Sequence, residues 1–210
     1  MAGDTRDRMI DATVAALQRH GVDGMSFTEI LASSGAARGA IYHHFPGGKA
    51  QLVAEAAARN GADVRAHLAG LPAGSPSAVV DAFLAMIRPV VAAAAGGSGC
   101  AIAAATLGAV PPSAASPGAA PPSAASPGVA PPSGAGHEGL RGVAATAFSS
   151  WTTQLAERLT TAGMPPAEAD ELAITLISLL EGAQILCRAA GSLDPFDKAA
   201  RTAATLARPR

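Results

Sequence analysis

Two adjacent histidines, His43 and His44, stand in the segment GAARGAIYHHF at residues 35–45, beside a tyrosine, a phenylalanine and an arginine. Histidine pairs can bind metal ions or transfer protons, but a metal site needs further converging ligands, commonly at i, i+4 spacing on a helix. Neighbouring helical residues diverge by about 100°, and no H-x-x-x-H motif or carboxylate pair accompanies these two. We therefore expect no metal site, no cofactor and no catalytic residue here, and interpret the segment as part of a surface that recognises another molecule.

The composition is that of a globular protein without a large net charge. The 210 residues are 49% hydrophobic and 15% charged, with a net charge of −1, so an electrostatic partner has to be met by a local patch. Cys100 and Cys187 are too few for a disulfide framework and are interpreted as reduced thiols of a cytoplasmic protein. The apolar stretches at 90–110 and 172–187 are interpreted as packed helices, and no membrane partner is expected.

Helical periodicity dominates the chain, which predicts an all-α fold. Ser26 and Glu29 fit a capping box before a short helix, Gly35 ends that helix, and Pro46 ends the next one. The predicted helices span about 4–20, 27–35, 37–44, 49–68, 76–94, 99–109, 140–162, 166–190 and 194–207. Three short helices, the second and third joined by a tight glycine turn, outline a helix-turn-helix head on a longer connecting helix.

The segment SFTEILASSGAARGAIYHHFPGGKAQL at residues 26–52 resembles the N-terminal helix-turn-helix of the TetR family of transcriptional regulators (TetR/AcrR-like, with some similarity to the subgroup that senses aromatic or multidrug-like compounds). The matching residues are Thr28, Ile30, Gly35, Gly39, the run from Ile41 to Phe45, Lys49 and Leu52. The resemblance implies a three-helix DNA-binding head at 1–48, a connecting helix at 49–70 and a C-terminal helical domain for ligand binding and dimerisation at 75–210.

A candidate DNA-binding surface follows from this resemblance. Its residues are Ser26, Thr28, Ala37, Arg38, Gly39, Tyr42, His43, His44 and Lys49. The helical period places Ile41 and Phe45 inward and leaves Arg38, Tyr42 and His43 outward. Arginine can donate two hydrogen bonds to a guanine edge, and the other polar groups can bind phosphate. The alternatives are a merely solvated Arg38 and a structural His44. Because Ala37 stands where the family commonly has a capping serine or threonine, we expect that cap to be absent.

The resemblance also implies an effector cavity and a dimer interface. Candidate effector-binding residues are Phe83, Met86, Ile87, Ile102, Phe148 and Trp151, for each of which core packing is the alternative. Candidate interface residues are Leu172, Leu176, Leu179, Gly182, Ala183 and Leu186, on a helix whose apolar residues occupy more than one stripe. The alternative for this helix is burial on all sides within one subunit. Few charged residues lie on these helices, which favours an apolar effector.

A ten-residue repeat, PPSAASPG followed by two further residues, begins at 111 and again at 121, and a third copy starts at 131. It lacks charge and has little to bury, so a disordered Pro/Ala/Ser loop is predicted at 111–136. The alternative to a neutral expansion is a proline-rich ligand for a partner domain.

Together these features predict a homodimeric repressor that binds a palindromic double-stranded DNA operator and is released by a small apolar effector. Two alternatives stay open at this point. One is a helical carrier or enzyme whose DNA-binding head is unused; the other is an activator or an architectural DNA-binding protein.

Overall fold

The structure, a computed structural model, describes residues 2–107 and 134–208. Within these ranges the regular structure is helical, without strands, which confirms the all-α prediction. The helices are α1 (Ala2–Gly24), α2 (Phe27–Ser34), α3 (Ala40–His44), α4 (Gly48–Ala69), α5 (Pro76–Ala95), α6 (Ala101–Leu107), α7 (Gly134–Thr161), α8 (Pro166–Ala190) and α9 (Asp194–Leu206).

The first hydrophobic core is formed mainly by α1, α2, α3 and α4. Its fully buried side chains include Met9, Leu17, Ile30, Ile41 and Phe45. The side chain of Arg8 joins α1 to α2, since its Nε donates to the Ser34 carbonyl at 2.9 Å. Burial of the apolar stripe of each short helix in one shared core gives the head a fixed geometry, because helices of this length are marginal on their own.

Local signals set the ends of α1 and α2. Gly21 (φ 69°, ψ −175°) interrupts α1 just after the predicted end at His20, and the chain then continues helically to Gly24. The Oγ of Ser26 accepts from the backbone N–H of Glu29 at 3.2 Å, and Gly35 ends α2 in the left-handed region at φ 65°.

The predicted capping box forms only in part. The carboxylate of Glu29 does not complete the reciprocal bond among the described contacts. It accepts from Arg19 at 2.9 Å and lies 3.2 Å from His20, and the Arg19 hydrogen bond is the main cause that lowers the pKa of Glu29. The Glu29 carboxylate, which the sequence pattern assigns to the capping box, therefore contacts Arg19 and His20 of α1 instead.

Helix α4 belongs to both halves of the molecule. Leu52 and Val53 are buried in the first core, whereas Leu68 is buried in the second. The middle of α4 lies directly against α7, where the Trp151 Nε1 donates to the Gly61 carbonyl at 2.8 Å. One continuous helix therefore joins the two cores.

The second core is formed by α4 to α9 around the fully buried Phe83, Trp151 and Leu176. By length and composition alone α5 and α8 pass as candidate membrane spans. Each packs a buried side into this core, as predicted for packed helices. The apolar stretch at 90–110 is not one helix, because a turn at Gly96–Gly97 separates α5 from α6.

Two predicted boundaries are wrong. Helix α3 begins at Ala40 instead of residue 37, because residues 36–39 form the turn, with a backbone bond from Ala40 N–H to the Ala37 carbonyl at 2.9 Å. Helix α7 begins at Gly134, so residues 134–136 of the predicted loop are helical. The rest of that loop prediction, at 111–133, lies outside the described residues.

Candidate nucleic-acid interface and ligand cavity

Most residues of the predicted DNA-binding surface are open to solvent. Two of its nine members, His44 and Lys49, are half-buried. The other seven are exposed: Ser26, Thr28, Ala37, Arg38, Gly39, Tyr42 and His43. Ile41 and Phe45 are fully buried, as the helical period predicts for the inner side of α3. Arg38, Tyr42 and His43 are thus open to solvent, and the contacts of Tyr42 with Phe27 and of Lys49 with Met25 bring parts of α2, α3 and α4 close together.

The aromatic side chains of the surface are held by edge contacts. The Tyr42 ring is 67% exposed and meets the Phe27 ring edge-on at a centroid distance of 6.4 Å. The rings of His43 and His44 are likewise edge-on, 4.9 Å apart. In residues 2–107 and 134–208 no group of three or more His, Cys, Asp or Glu side chains is placed to hold a metal ion. Of the two histidines, His43 is exposed and His44 is half-buried, so His43 is the better placed to bond to another molecule.

At Gly39, a residue of this surface, nothing in the described chain requires a glycine. It precedes α3 with helical backbone angles (φ −76°, ψ −14°), and a Cβ built there would meet no atom of the described residues within 4 Å. The N-cap of α3 is Gly39 and not Ala37, and no side chain in the described chain caps this helix. A glycine without an internal reason, beside Arg38 and Tyr42, leaves room for an external surface to approach the backbone.

The Lys49 side chain is partly used in a hydrogen bond within the protein. Its Nζ donates to the Met25 carbonyl at 3.1 Å, which joins the start of α4 to the residue before α2. An ammonium group carries three donors, so two remain for a phosphate. Sequence reasoning missed this structural contact because nothing in the local pattern relates residue 25 to residue 49.

A cavity of about 270 Å³, here called the inner cavity, lies between α4, α5, α7 and α8. Of the predicted effector-binding residues, Met86, Ile87 and Trp151 line it. Phe83 and Ile102 are instead fully buried in the second core, and Phe148 lines a separate surface depression beside Thr106. The structure therefore brings three of the six together, and core packing accounts for two of the others.

The inner cavity also has polar walls that the sequence analysis did not assign to a site. Glu181 and Gln184 of α8 line it together with Gln18 and His67. Burial raises the pKa of the Glu181 carboxyl, and hydrogen bonding by the Cys100 thiol opposes that rise. Burial, with the nearby Glu181 charge, also raises the pKa of Cys100, so this thiol stays protonated. Glu181 is the one Asp, Glu, Lys or Arg among the described residues that line the inner cavity.

The predicted interface residues fall on two sides of α8. Leu172, Leu176 and Ala183 are buried in the second core, so they have little surface left for a partner. Leu179 and Gly182 are half-buried and Leu186 is exposed. The other exposed apolar side chains of α8 are Ile174 and Ile185, at 52% and 68%. The periodicity showed two apolar stripes without showing which one faces the core.

Comparison with known proteins agrees with this geometry. Residues 9–56 match the family model of bacterial regulatory proteins of the tetR family, and residues 129–202 match the model of the LmrA/YxaF-like transcriptional regulator C-terminal domain. The uncharacterized HTH-type transcriptional regulator Rv0196 of Mycobacterium tuberculosis is 30% identical over 192 residues, which are 91% of this chain and 88% of that protein. The HTH-type transcriptional regulator LmrA of Bacillus subtilis is 43% identical over 54 residues, 26% of this chain and 29% of LmrA.

Solved structures share the fold. A TetR transcriptional regulator from Legionella pneumophila superposes with a TM-score of 0.72 at 17% identity, over 96% of each chain. A TetR-family regulator from Cytophaga hutchinsonii gives 0.71 at 20% identity, over 98% of this chain and 94% of that one.

A helix-turn-helix with an exposed second helix, on an all-helical body, defines a DNA-binding regulator of transcription. The chain belongs to the TetR family of transcriptional regulators. It is a regulator and not an enzyme.

Proposed function

We propose that this regulator is a cytoplasmic homodimeric repressor that leaves its operator when a small, largely apolar ligand occupies the inner cavity. The observation that carries the proposal is the exposed side of α3 and of the turn before it, where Arg38, Tyr42 and His43 are open to solvent and Gly39 has free space at its Cβ position within the described chain. In this proposal residues 1–48 read DNA, residues 49–70 connect, and residues 75–210 bind ligand and a second subunit.

We assign base contacts and phosphate contacts to different residues of this surface, according to the chemistry of their side chains. The Arg38 guanidinium presents paired donors to the O6 and N7 atoms of a guanine in the major groove. Tyr42, His43, Thr28 and Lys49 donate to backbone phosphates, which fix the position of the head on the duplex. Gly39 permits close approach of the backbone to the groove.

Dimerisation in this proposal uses the outward side of α8. Ile174, Ile185 and Leu186 expose more than half of their surface in the described chain, and an exposed apolar patch on a helix is typical of a protein interface. A Cβ on Gly182 would meet no described atom within 4 Å, so this glycine lets a second helix approach closely. The interface therefore comprises Leu179, Gly182 and Leu186 of the original prediction, with Ile174 and Ile185 added.

Ligand binding reaches the head along two routes. Asn60 and Val64 of α4 line the inner cavity, so a ligand there touches the helix that carries the head. The Gly99 N–H in the turn before α6 donates to the Gln18 carbonyl of α1 at 2.7 Å, and both of these residues also line the cavity. A ligand that prefers a different placement of α1 and α4 shifts the population away from the DNA-competent form.

The test begins with selection of bound fragments from the source genome, which yields an operator. Fluorescence anisotropy on that fragment then compares the parent with Arg38→Ala and with Arg65→Ala, an exposed arginine of α4 as the matched control. Loss of a bidentate guanine contact costs about 1–3 kcal/mol, so Arg38→Ala should bind roughly tenfold or more weakly. Equal effects of the two substitutions would contradict the assignment of Arg38.

A further inference from the structure

Two acceptors on one face of α8 lack partners in the described structure. The Oε1 atoms of Glu181 and Gln184 are buried and form no hydrogen bond with any described group, and Gln184 is 5% exposed. Leaving a buried polar group unpaired is destabilising, so such groups need a reason. Residues 181 and 184 are one helical turn apart and share a face, which brings the two acceptors to the same place.

That place is the wall between two cavities. A second cavity of about 420 Å³, here called the outer cavity, is bounded by the end of α1, the turn before α6, and α8. The inner and outer cavities share Gln18, Gly99, Cys100, Glu181 and Gln184. A molecule that enters either cavity therefore meets both acceptors.

The Glu181 carboxylate has no cationic partner in the part of the chain that the structure describes, since none of the ion pairs there includes it. Arg188, the basic residue of α8 that lines the outer cavity, directs its guanidinium to the Gly97 carbonyl at 2.7 Å. Cys100 contributes a thiol, a weak donor that leaves the charge uncompensated. A buried carboxylate of this kind is stabilised by a cation that brings its own donors.

The other walls of the inner cavity are mainly apolar, with Gln18, Asn60 and His67 as further polar residues. Val64, Met86, Ile87, Val90, Trp151 and Leu180 form the apolar walls. Its volume of about 270 Å³ lies near the lower end of the roughly 300–1,000 Å³ typical of small-molecule sites, which limits the ligand to about two rings. An aromatic body against Trp151 and Met86 would place a short polar arm at α8.

We propose that the effector is an organic cation with a flat apolar body, whose protonated amine donates to Glu181 and Gln184. This inference rests on the proposed function of the inner cavity and names the class of ligand that it takes. The carboxylate supplies the charge selection, the Gln184 amide fixes the direction of the amine, and the apolar walls bind the rings. An anion of the same shape meets Glu181 as a like charge and is rejected.

Isothermal titration of the full-length protein, without DNA, tests the proposal with three probes of matched shape: 1-naphthylmethylamine, 1-naphthylmethanol and 1-naphthoate. The ammonium should bind about tenfold or more tightly than the alcohol, because a hydrogen bond to a charged group is the stronger one, and the carboxylate should bind weakest. Glu181→Gln should remove this preference and leave the affinity for the alcohol within about twofold. Glu171→Gln, on the exposed side of the same helix, is the control and should change neither affinity.

Three results would overturn the proposal: an alcohol that binds as tightly as the ammonium, a Glu181→Gln variant that keeps the preference, or no heat from any probe at millimolar concentration. If Glu181→Gln does not fold by circular dichroism, Gln184→Leu replaces it and should weaken the ammonium alone. Because these titrations contain no DNA, their failure is distinct from failure of operator binding, which the Arg38 comparison measures.

Discussion

At the scale of single residues, two glycines of the head have opposite roles. Gly35 lies at φ 65°, a conformation that costs other residues roughly 1–2 kcal/mol, so the turn between α2 and α3 needs it. Gly39 has ordinary helical angles and open space at its Cβ position within the described chain. Neither its backbone angles nor its described neighbours require a glycine there, which supports the proposed close approach of DNA.

Gly39→Ala should separate folding from binding. The backbone at position 39 accommodates alanine, so the free energy of unfolding should stay equal or rise by about 0.4–1 kcal/mol, as measured by urea denaturation. Operator affinity should fall, since the added methyl group meets the groove wall. Gly35→Ala, the control, should lose roughly 1–2 kcal/mol of stability. An alanine at 39 that binds the operator as well as glycine would contradict close approach at this point.

Glu181 should make the stability of the ligand-free protein depend on pH. Burial raises the pKa of this carboxyl above its ordinary value of 4.5, so the folded state holds a proton that the unfolded state has released. The free energy of unfolding therefore falls as the pH rises from the ordinary pKa through the raised one. Cys100, protonated throughout, and His67 face the same cavity. Urea denaturation across pH should show that the parent loses stability relative to Glu181→Gln over this interval; parallel curves would refute the effect.

At the scale of elements, the crossing of α4 and α7 is the tightest link between head and body. A Cβ on Gly61 would lie 3.0 Å from the Cβ of Ala147, which is closer than side chains pack. Beside this contact the indole of Trp151 bonds to the same glycine's carbonyl. The absence of a side chain at position 61 thus fixes how near the two helices lie.

Gly61→Ala should destabilise the protein relative to a matched helical substitution. Gly142→Ala, on the exposed face of α7 with no described atom near its Cβ, gains the same intrinsic helix propensity. Overpacking at position 61 costs about 1–3 kcal/mol, so thermal or urea unfolding should separate the two variants by about that amount. Equal stabilities would show that α4 and α7 can move apart freely.

Sequence patterns predicted some elements well and others poorly, for physical reasons. The bounds of α8 at 166 and 190 were predicted correctly, because Pro166 fits a first helical turn and Gly191 ends the helix in the left-handed region. The start of α3 was missed by three residues, since Ala37 and Arg38 are good helix formers and the turn that excludes residues 37–39 depends on tertiary packing. Which stripe of α8 is buried also depends on its neighbours.

The residues that line the inner cavity were likewise predictable from the sequence only in part. Glu181 and Gln184 interrupt the apolar run at 172–187, and their i, i+3 spacing on a helix was a usable sign of a polar site. Sequence alone could not indicate that Gln18 and Cys100, far away in the chain, would face them. Trp151 and Met86 were predicted from the family resemblance, whereas Phe83 and Ile102 look the same in sequence and are core residues.

At the scale of the whole molecule, the head carries no net charge over residues 1–65, where seven basic residues face seven acidic ones. Without a surplus of positive charge, non-specific attraction to DNA is weak, so one head is expected to bind poorly. Two heads held at a fixed spacing gain effective concentration on the second half-site. Operator binding is therefore expected to depend on the dimer.

Ile185→Asp should convert the protein to a monomer. The charge would be buried in an apolar interface without a partner, and sedimentation velocity should show the smaller species at concentrations where the parent is dimeric. Ala66→Asp, at an exposed position of α4, is the control and should leave the dimer intact. A dimeric Ile185→Asp variant would place the interface elsewhere.

Hydroxyl-radical footprinting of the operator tests the central claim, that the outward face of α3 reads DNA in a dimer. The account predicts two protected patches on one face of the duplex, centred about 34–36 Å apart or a multiple of this, in the parent and in Arg65→Ala. Both patches should disappear together in Arg38→Ala at the same protein concentration. A single patch, or an unchanged footprint when Arg38, Tyr42 and His43 are replaced by alanine, would contradict it.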